Sequence, residues 1–191
     1  TTYKNAHEKL LHDFEQRGDI LLGTQMIAKG LDFPNVTLVG VLAADMSLNL
    51  PDYKAIEKTF QLLTQVSGRA GRHDKEGEVV IQTYNPEHYA IAYAEHHDYH
   101  SFYKTEMKIR EISGYTPFNH LVQIIVSDKD VRKLLKEGTK IVLQLRKNLE
   151  SDMVILGPVL PKIARINNYY RAQIIIKYKQ STKLDTVLQD I

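Results

Sequence analysis

Cysteine is absent from the 191-residue chain, which excludes disulfides and thiolate metal sites within it and is compatible with a reducing compartment. No run of about 18 apolar residues occurs, so no membrane-spanning helix and no membrane partner are expected. The N-terminus carries no basic stretch leading into an apolar one, the pattern of a secretion signal, and a cytoplasmic location is the expectation. Two further absences concern chemistry. A Gly-x-x-x-x-Gly-Lys-Ser/Thr loop occurs nowhere, nor does an acidic magnesium-holding motif at the end of a strand. Such a loop cradles phosphates with its backbone N–H groups. Any arginine acting here on a triphosphate must therefore complete a site whose other half lies on sequence outside this chain.

What is present bounds the fold. Apolar residues make up 43% of the chain, enough for a core, and the length accommodates one large domain or two small ones. The net charge of +2 conceals an asymmetry, because the first hundred residues sum to −5 and the remainder to +7. A basic second half hints at a polyanion partner, although surface lysines also serve solubility.

Residues Asn5 to Gln16 read as a helix with Ala6, Leu10, Leu11 and Phe14 on one face. No strand precedes it, and the chain is expected to begin in mid-domain. Ile20-Leu21-Leu22 has the continuous apolar character of a strand buried on both faces, followed by a short helical piece over Gln25 to Ala28. A second such strand is expected over Val36 to Leu42 and a third over Val79 to Thr83. Short alternation of helix and strand argues for a parallel sheet, with ligands at the carboxyl ends of its strands. Thr24, Lys29, Gly30 and Asp32 follow a strand and fall on that edge. Glu87 to Ile112 reads as mainly helical and as the tie between two domains.

The most informative stretch is Gln65-Val66-Ser67-Gly68-Arg69-Ala70-Gly71-Arg72. It closes a helix that starts near Asp52, behind Pro51, with Ile56, Phe60, Leu63 and Val66 on one buried face. Gly68 and Gly71 permit a positive φ or a close backbone approach, leaving Arg69 and Arg72 to reach outward. Two guanidinium forks suit phosphoryl oxygens, and Gln65, one turn earlier, suits a water or a third oxygen. The same pattern also fits a helix C-cap with basic residues favoured by the dipole. The residues by themselves leave both readings open.

After Gly114 to Phe118 the pattern changes. Strands are expected over Leu121 to Val126, Met153 to Leu156 and Ala172 to Lys177. A helix is expected over Val131 to Leu149, with Leu134, Leu135, Ile141, Val142 and Leu145 buried and Gly138 weakening its middle. A short helix over Leu184 to Ile191 ends the chain. These elements make a small α+β domain over residues 113–191, beside an α/β domain over residues 1–112. The run from Lys162 to Lys179 mixes Lys162, Arg165 and Arg171 with Tyr169 and Tyr170, around an Asn167-Asn168 turn signal. Cations there suit phosphates and tyrosines suit unpaired bases, while an ordinary hairpin with a tyrosine packed inward fits equally. His96, His97 and His100 invite a metal, positions 96 and 100 sharing a helix face, but no further ligand completes a shell. No metal site is expected.

Gly23 to Val36 and Gln65 to Arg72 resemble the fifth and sixth conserved motifs of the superfamily 2 helicases. Leu48 to Tyr53, Thr64 to Val66, Gly157-Pro158 and Tyr170 to Ile174 are most similar to the primosomal replication-restart helicases within that superfamily. The resemblance runs over nearly the whole chain and is weaker from Ala90 to Leu149. It implies a second RecA-like motor lobe, N-terminally truncated, followed by the family's small C-terminal domain. It further implies an ATP-dependent 3′ to 5′ DNA helicase that restarts stalled forks by initiating primosome assembly. Carried over, Arg72 is the arginine finger, Arg69 a second triphosphate contact or its support, and Gln65 the group that positions the γ-phosphate or attacking water. Gly30 and Asp32 fall on the nucleotide side, Asp32 toward the ribose, and Thr24 and Lys29 face DNA. The implied cofactors are ATP and Mg²⁺, and the implied partners are forked and single-stranded DNA, the single-stranded DNA-binding protein and primosome components. The family also carries zinc, for which this chain holds no site, and a first motor lobe, without which no ATP hydrolysis is expected. Another superfamily 2 translocase, acting in fork reversal or repair, and a non-catalytic nucleic-acid-binding module are the alternatives.

Overall fold

The computed structural model describes residues 6–24, 33–68 and 77–191. Contacts divide the chain into two compact units, Thr1–Thr105 and Glu106–Ile191.

In the first unit, β1 (Leu38–Val41) and β2 (Glu78–Ile81) pair in parallel, Leu38 opposite Glu78 and Val41 opposite Ile81. Parallel neighbours need a crossover connection, and here it runs through α2 (Asp45–Leu48) and α3 (Ala55–Ser67). Asp52 precedes α3, and its carboxylate accepts from Lys54 N and, at 2.7 Å, from Lys58 Nζ. The lysine's hydrogen bond is the main reason that the Asp52 carboxyl is held below its ordinary range. Ala55, Thr59, Phe60, Leu63 and Val66 of α3 are buried. Phe60 and Leu63, with Ala44, meet α4 (Tyr89–Glu95) and the start of α5 (Tyr99–Ser113), through Ala90, Ile91, Ala94 and Phe102. Phe60 and Phe102 stack at 3.9 Å between ring centroids.

Several expectations are corrected in this unit. Ile20-Leu21-Leu22 is not a strand: the segment has no regular structure, and Ile20 and Leu22 are 88% and 83% exposed. An apolar run becomes a strand only where a neighbouring ladder satisfies its backbone, and none pairs with it among the described residues. β1 is shorter than Val36 to Leu42 and alternates in burial, so it is not covered on both faces. Helix α1 (Ala6–Arg17) forms as expected, yet none of its residues is buried. Gly68 closes α3 at φ −79° with its N–H on Thr64 O, so no left-handed residue is used there. Helix α2 was not expected. The histidine cluster is split, because α4 stops at Glu95 and α5 starts at Tyr99, with His97 at φ +52° between them. His96 and His100 therefore do not share one helix face.

The second unit is an antiparallel sheet covered by helices. Strands β3 (His120–Asp128), β4 (Val154–Val159) and β6 (Tyr169–Tyr178) lie in the order β3-β6-β4, and β5 (Arg165–Ile166) pairs with the start of β6. Alternation puts Val122, Ile124, Val126, Ile155, Ile174 and Ile176 on one face, against α6 (Val131–Asn148) and α7 (Leu184–Gln189). Asp130 caps α6 by accepting from Arg132 N and Lys133 N. Leu134, Val142 and Leu145 are buried as expected, whereas Leu135 is 37% exposed and Ile141 half-buried. Gly138 is buried, and a Cβ there would stand 2.8 Å from Pro158 Cβ. It serves close approach to β4. The register of β4 shifts between Leu156 and Val159. Gly157 sits in that shift at φ +107°, where a Cβ would fall 2.5 Å from Gln173 O. The architecture is thus mixed α/β, with one parallel pair and one antiparallel sheet.

Candidate nucleotide edge and nucleic-acid interface

The carboxyl ends of β1 and β2 are joined by a hydrogen-bonded lattice. Ala44 N donates to Gln82 O at 3.1 Å, and Ala43 N to Gln82 Oε1 at 2.6 Å, with Ala43 at φ +52°. Asp45 accepts from Thr83 Oγ1 at one oxygen and from Tyr84 N at the other, both at 2.8 Å. Thr83 Oγ1 in turn accepts from Asn85 N at 3.0 Å. The Tyr84 N–H and then the Thr83 hydroxyl hold the Asp45 carboxyl below its ordinary range, since both favour the charged form. Sequence reasoning missed this lattice. Asp45 stands four residues beyond β1 and Thr83 two beyond β2, so only the parallel register of the two strands shows that they meet.

Of the residues expected at this edge, Thr24 is exposed and outside regular structure, and Gln65 is half-buried near the end of α3. Lys29, Gly30, Asp32, Arg69 and Arg72 lie outside the described residues.

The expected interface in the second unit is described in full. Asn167 and Asn168 take φ of +50° and +66°, the geometry of a tight two-residue hairpin, and pair Arg165 with Tyr170 and Ile166 with Tyr169. The Arg165 guanidinium lies over the Tyr170 ring at 5.3 Å and donates to Asn168 Oδ1 at 3.4 Å. Lys129 Nζ, at the end of β3, lies 5.5 Å from the Tyr169 ring centre. Arg171 N donates to Ala164 O at 2.8 Å, which ties the β4 to β5 connection onto β6. Lys162 is exposed on that connection. The hairpin thus sets Tyr169 and Arg171 on one face of β6 and Arg165, paired with Tyr170, on the other, with Lys162 nearby in the chain. One cation of the run is used otherwise. Lys177 is buried, donates to Ser113 O at 2.8 Å and lies 3.6 Å from the Tyr115 ring centre.

Among the described residues no group of three or more histidine, aspartate or glutamate side chains is arranged to hold a metal. No helix among them is long and apolar enough to cross a membrane.

Known families match both parts. Residues 1–74 match the helicase conserved C-terminal domain, and residues 111–191 the primosomal protein N C-terminal domain. Replication restart protein PriA of Bacillus subtilis is 56% identical over the whole of this chain, which covers 24% of that protein. The Synechocystis and Chlamydia muridarum proteins of the same name are 43% and 37% identical, again over the whole chain, which covers 23% and 25% of them. The chain spans about a quarter of the length of the curated relatives that it matches. With a helicase domain and a primosomal domain matched in this order, the chain belongs to the replication restart protein PriA family.

Proposed function

We propose that this chain supplies the C-terminal part of an ATP-dependent 3′ to 5′ DNA helicase that restarts stalled replication forks by initiating primosome assembly. The observation that carries the reading is the 56% identity to a replication restart protein over the full chain. The parallel pair with its helical crossover supports a second RecA-like lobe over residues 1–112. The helix-covered antiparallel sheet supports a small α+β C-terminal domain over residues 113–191, and DNA contact by that domain is part of the proposal.

In this reading ATP and Mg²⁺ are held between two lobes. The Arg72 guanidinium meets charge developing on the transferred phosphoryl group, Arg69 braces or extends that contact, and Gln65 orients the attacking water. Gly30 and Asp32 border the nucleotide, Asp32 toward the ribose hydroxyls. Thr24 and Lys29 contact the DNA backbone, as do Lys162, Arg165 and Arg171, with Tyr169 offering a ring face. Forked and single-stranded DNA, the single-stranded DNA-binding protein and primosome components are the partners, in the cytoplasm.

The test is DNA-stimulated ATP hydrolysis by the full-length protein with Arg72→Ala, nucleotide and DNA binding being measured in parallel. An arginine finger contributes about 10³ to 10⁵ in rate. A loss on that scale with both ligands still bound is the expected result, and unchanged hydrolysis returns Gln65 to Arg72 to a basic helix cap. The 191-residue chain by itself, which has no phosphate-binding loop, is expected to turn over no ATP.

A further inference from the structure

The face of the second sheet turned away from α6 and α7 holds an apolar hollow of about 200 Å³, lined by Ile125, Pro161, Ile163, Ile166, Arg171 and Gln173 among others. Ile125 comes from β3, Gln173 from β6, and Pro161 and Ile163 from the connection that Arg171 N fastens through Ala164 O. The wall is therefore built by tertiary pairing. Ile125 and Ile163 remain 56% and 69% exposed, so the hollow opens to solvent. A soluble chain that leaves isoleucines this bare around a concavity has a surface suited to an apolar occupant.

Charge narrows the choice of occupant. Arg171 lines the hollow and Lys162 lies between Pro161 and Ile163 in the chain, whereas Arg165, paired with Tyr170, belongs to the opposite face of the sheet. No carboxylate lines it. The acids at the end of β3 and just beyond it, Asp128 and Asp130, are occupied with backbone N–H groups, Asp128 with Asp130 N and Asp130 with Arg132 N and Lys133 N. An occupant with an apolar ring and an anionic backbone fits such a site. Polar complementarity agrees, since Gln173 lies in the lining and its Oε1 accepts from Gln123 Nε2 at 3.0 Å. That pair places amide donors and acceptors where a base edge needs partners. The tyrosines are less free for stacking than the sequence implies, because Lys129 and Arg165 already lie over Tyr169 and Tyr170.

We infer that this hollow receives one unpaired base of single-stranded DNA, with Arg171 and Lys162 on the flanking phosphates. The inference rests on the reading of the second unit as DNA-binding and adds to it. A duplex keeps its bases stacked and paired, so only an unstacked strand delivers a ring to the site.

The test measures binding of the 191-residue chain at low salt to three probes of equal length: oligodeoxythymidylate, the same strand with abasic positions, and a blunt duplex. Wild type is expected to bind the intact strand about 5-fold or more tightly than the abasic strand, the scale of one lost base contact. Ile163→Ala, at a well-exposed position, is expected to lose a similar factor on the intact strand only, leaving abasic and duplex binding unchanged. Equal binding of intact and abasic strands by wild type overturns the hollow while leaving the DNA-binding reading in place. So does an Ile163→Ala chain that binds all three probes as wild type does. No binding to any probe overturns both.

Discussion

At the scale of single residues, Asp45 shows how a carboxylate fastens two loops. Its folded-state pKa lies below the ordinary value of 3.8, so the charged form contributes stability at any pH above that value. The contribution is lost as pH falls from 3.8 through the depressed folded value. Asp45→Asn should remove this component of acid sensitivity, read as a flatter stability profile below pH 4 together with loss of the low-titrating carboxyl signal in NMR. Glu106 and Arg110 illustrate a different regime. They pair at 2.7 Å on successive turns of α5 with side chains only 7% and 10% exposed. Removing the guanidinium takes the ion pair from a buried carboxylate, and Arg110→Met should cost about 3 to 5 kcal/mol in denaturant unfolding. Neither arrangement was legible in the sequence. Asp45 needs the parallel register to meet Thr83, and the Glu106 to Arg110 spacing recurs on many solvated helices. Gln65, by contrast, was placed correctly on the closing turn of a buried helix, because the spacing of Phe60, Leu63 and Val66 identified that helix.

Elements were legible where local periodicity and turn chemistry agreed. The α6 stripe gave Leu134, Val142 and Leu145, and Asn167-Asn168 gave the turn that pairs Arg165 with Tyr170 and Ile166 with Tyr169. Failures came where a neighbour decides. Ile20 to Leu22 has strand composition without a ladder, and β1 has the right centre with fewer residues than its apolar run. Gly138 was read for its propensity when its role is distance. Gly138→Ala should therefore cost more than an exposed glycine would suggest. Overpacking against Pro158 typically costs about 1 to 3 kcal/mol, where propensity alone would favour alanine by up to about 1. A fall in thermal midpoint tests this, and a rise would restore the propensity reading. Lys177 gives an element a cap from outside itself, its ammonium meeting a carbonyl of the last turn of α5. Lys177→Met should lose about 1.5 to 3 kcal/mol, the scale of a hydrogen bond to a charged group, with faster amide exchange at the C-terminal end of that helix.

For the molecule as a whole, two separate cores underlie two compact units. Phe60→Ala should weaken exchange protection in β1, α3 and α4, and Ile174→Ala should do so in β3, β4 and β6, each by the 2 to 5 kcal/mol order of a large core truncation, about that in either case. The basic excess of the second half was visible from charge counting, yet where it gathers was not. Sheet alternation decides that, turning Arg171 and Gln173 outward while Ala172 and Ile174 point to the core.

The meeting of Gly138 with Pro158 also acts as an index mark. One residue of rotation turns a helix by about 100° and would carry Glu137 or Thr139 to the place where no Cβ fits. Helix α6 is thereby keyed to a single angular setting on the sheet, as a shaft is keyed to its hub. A sequence that kept the apolar stripe and moved the glycine by one place would set the stripe and the key at odds, and the helix would have no seat that satisfied both.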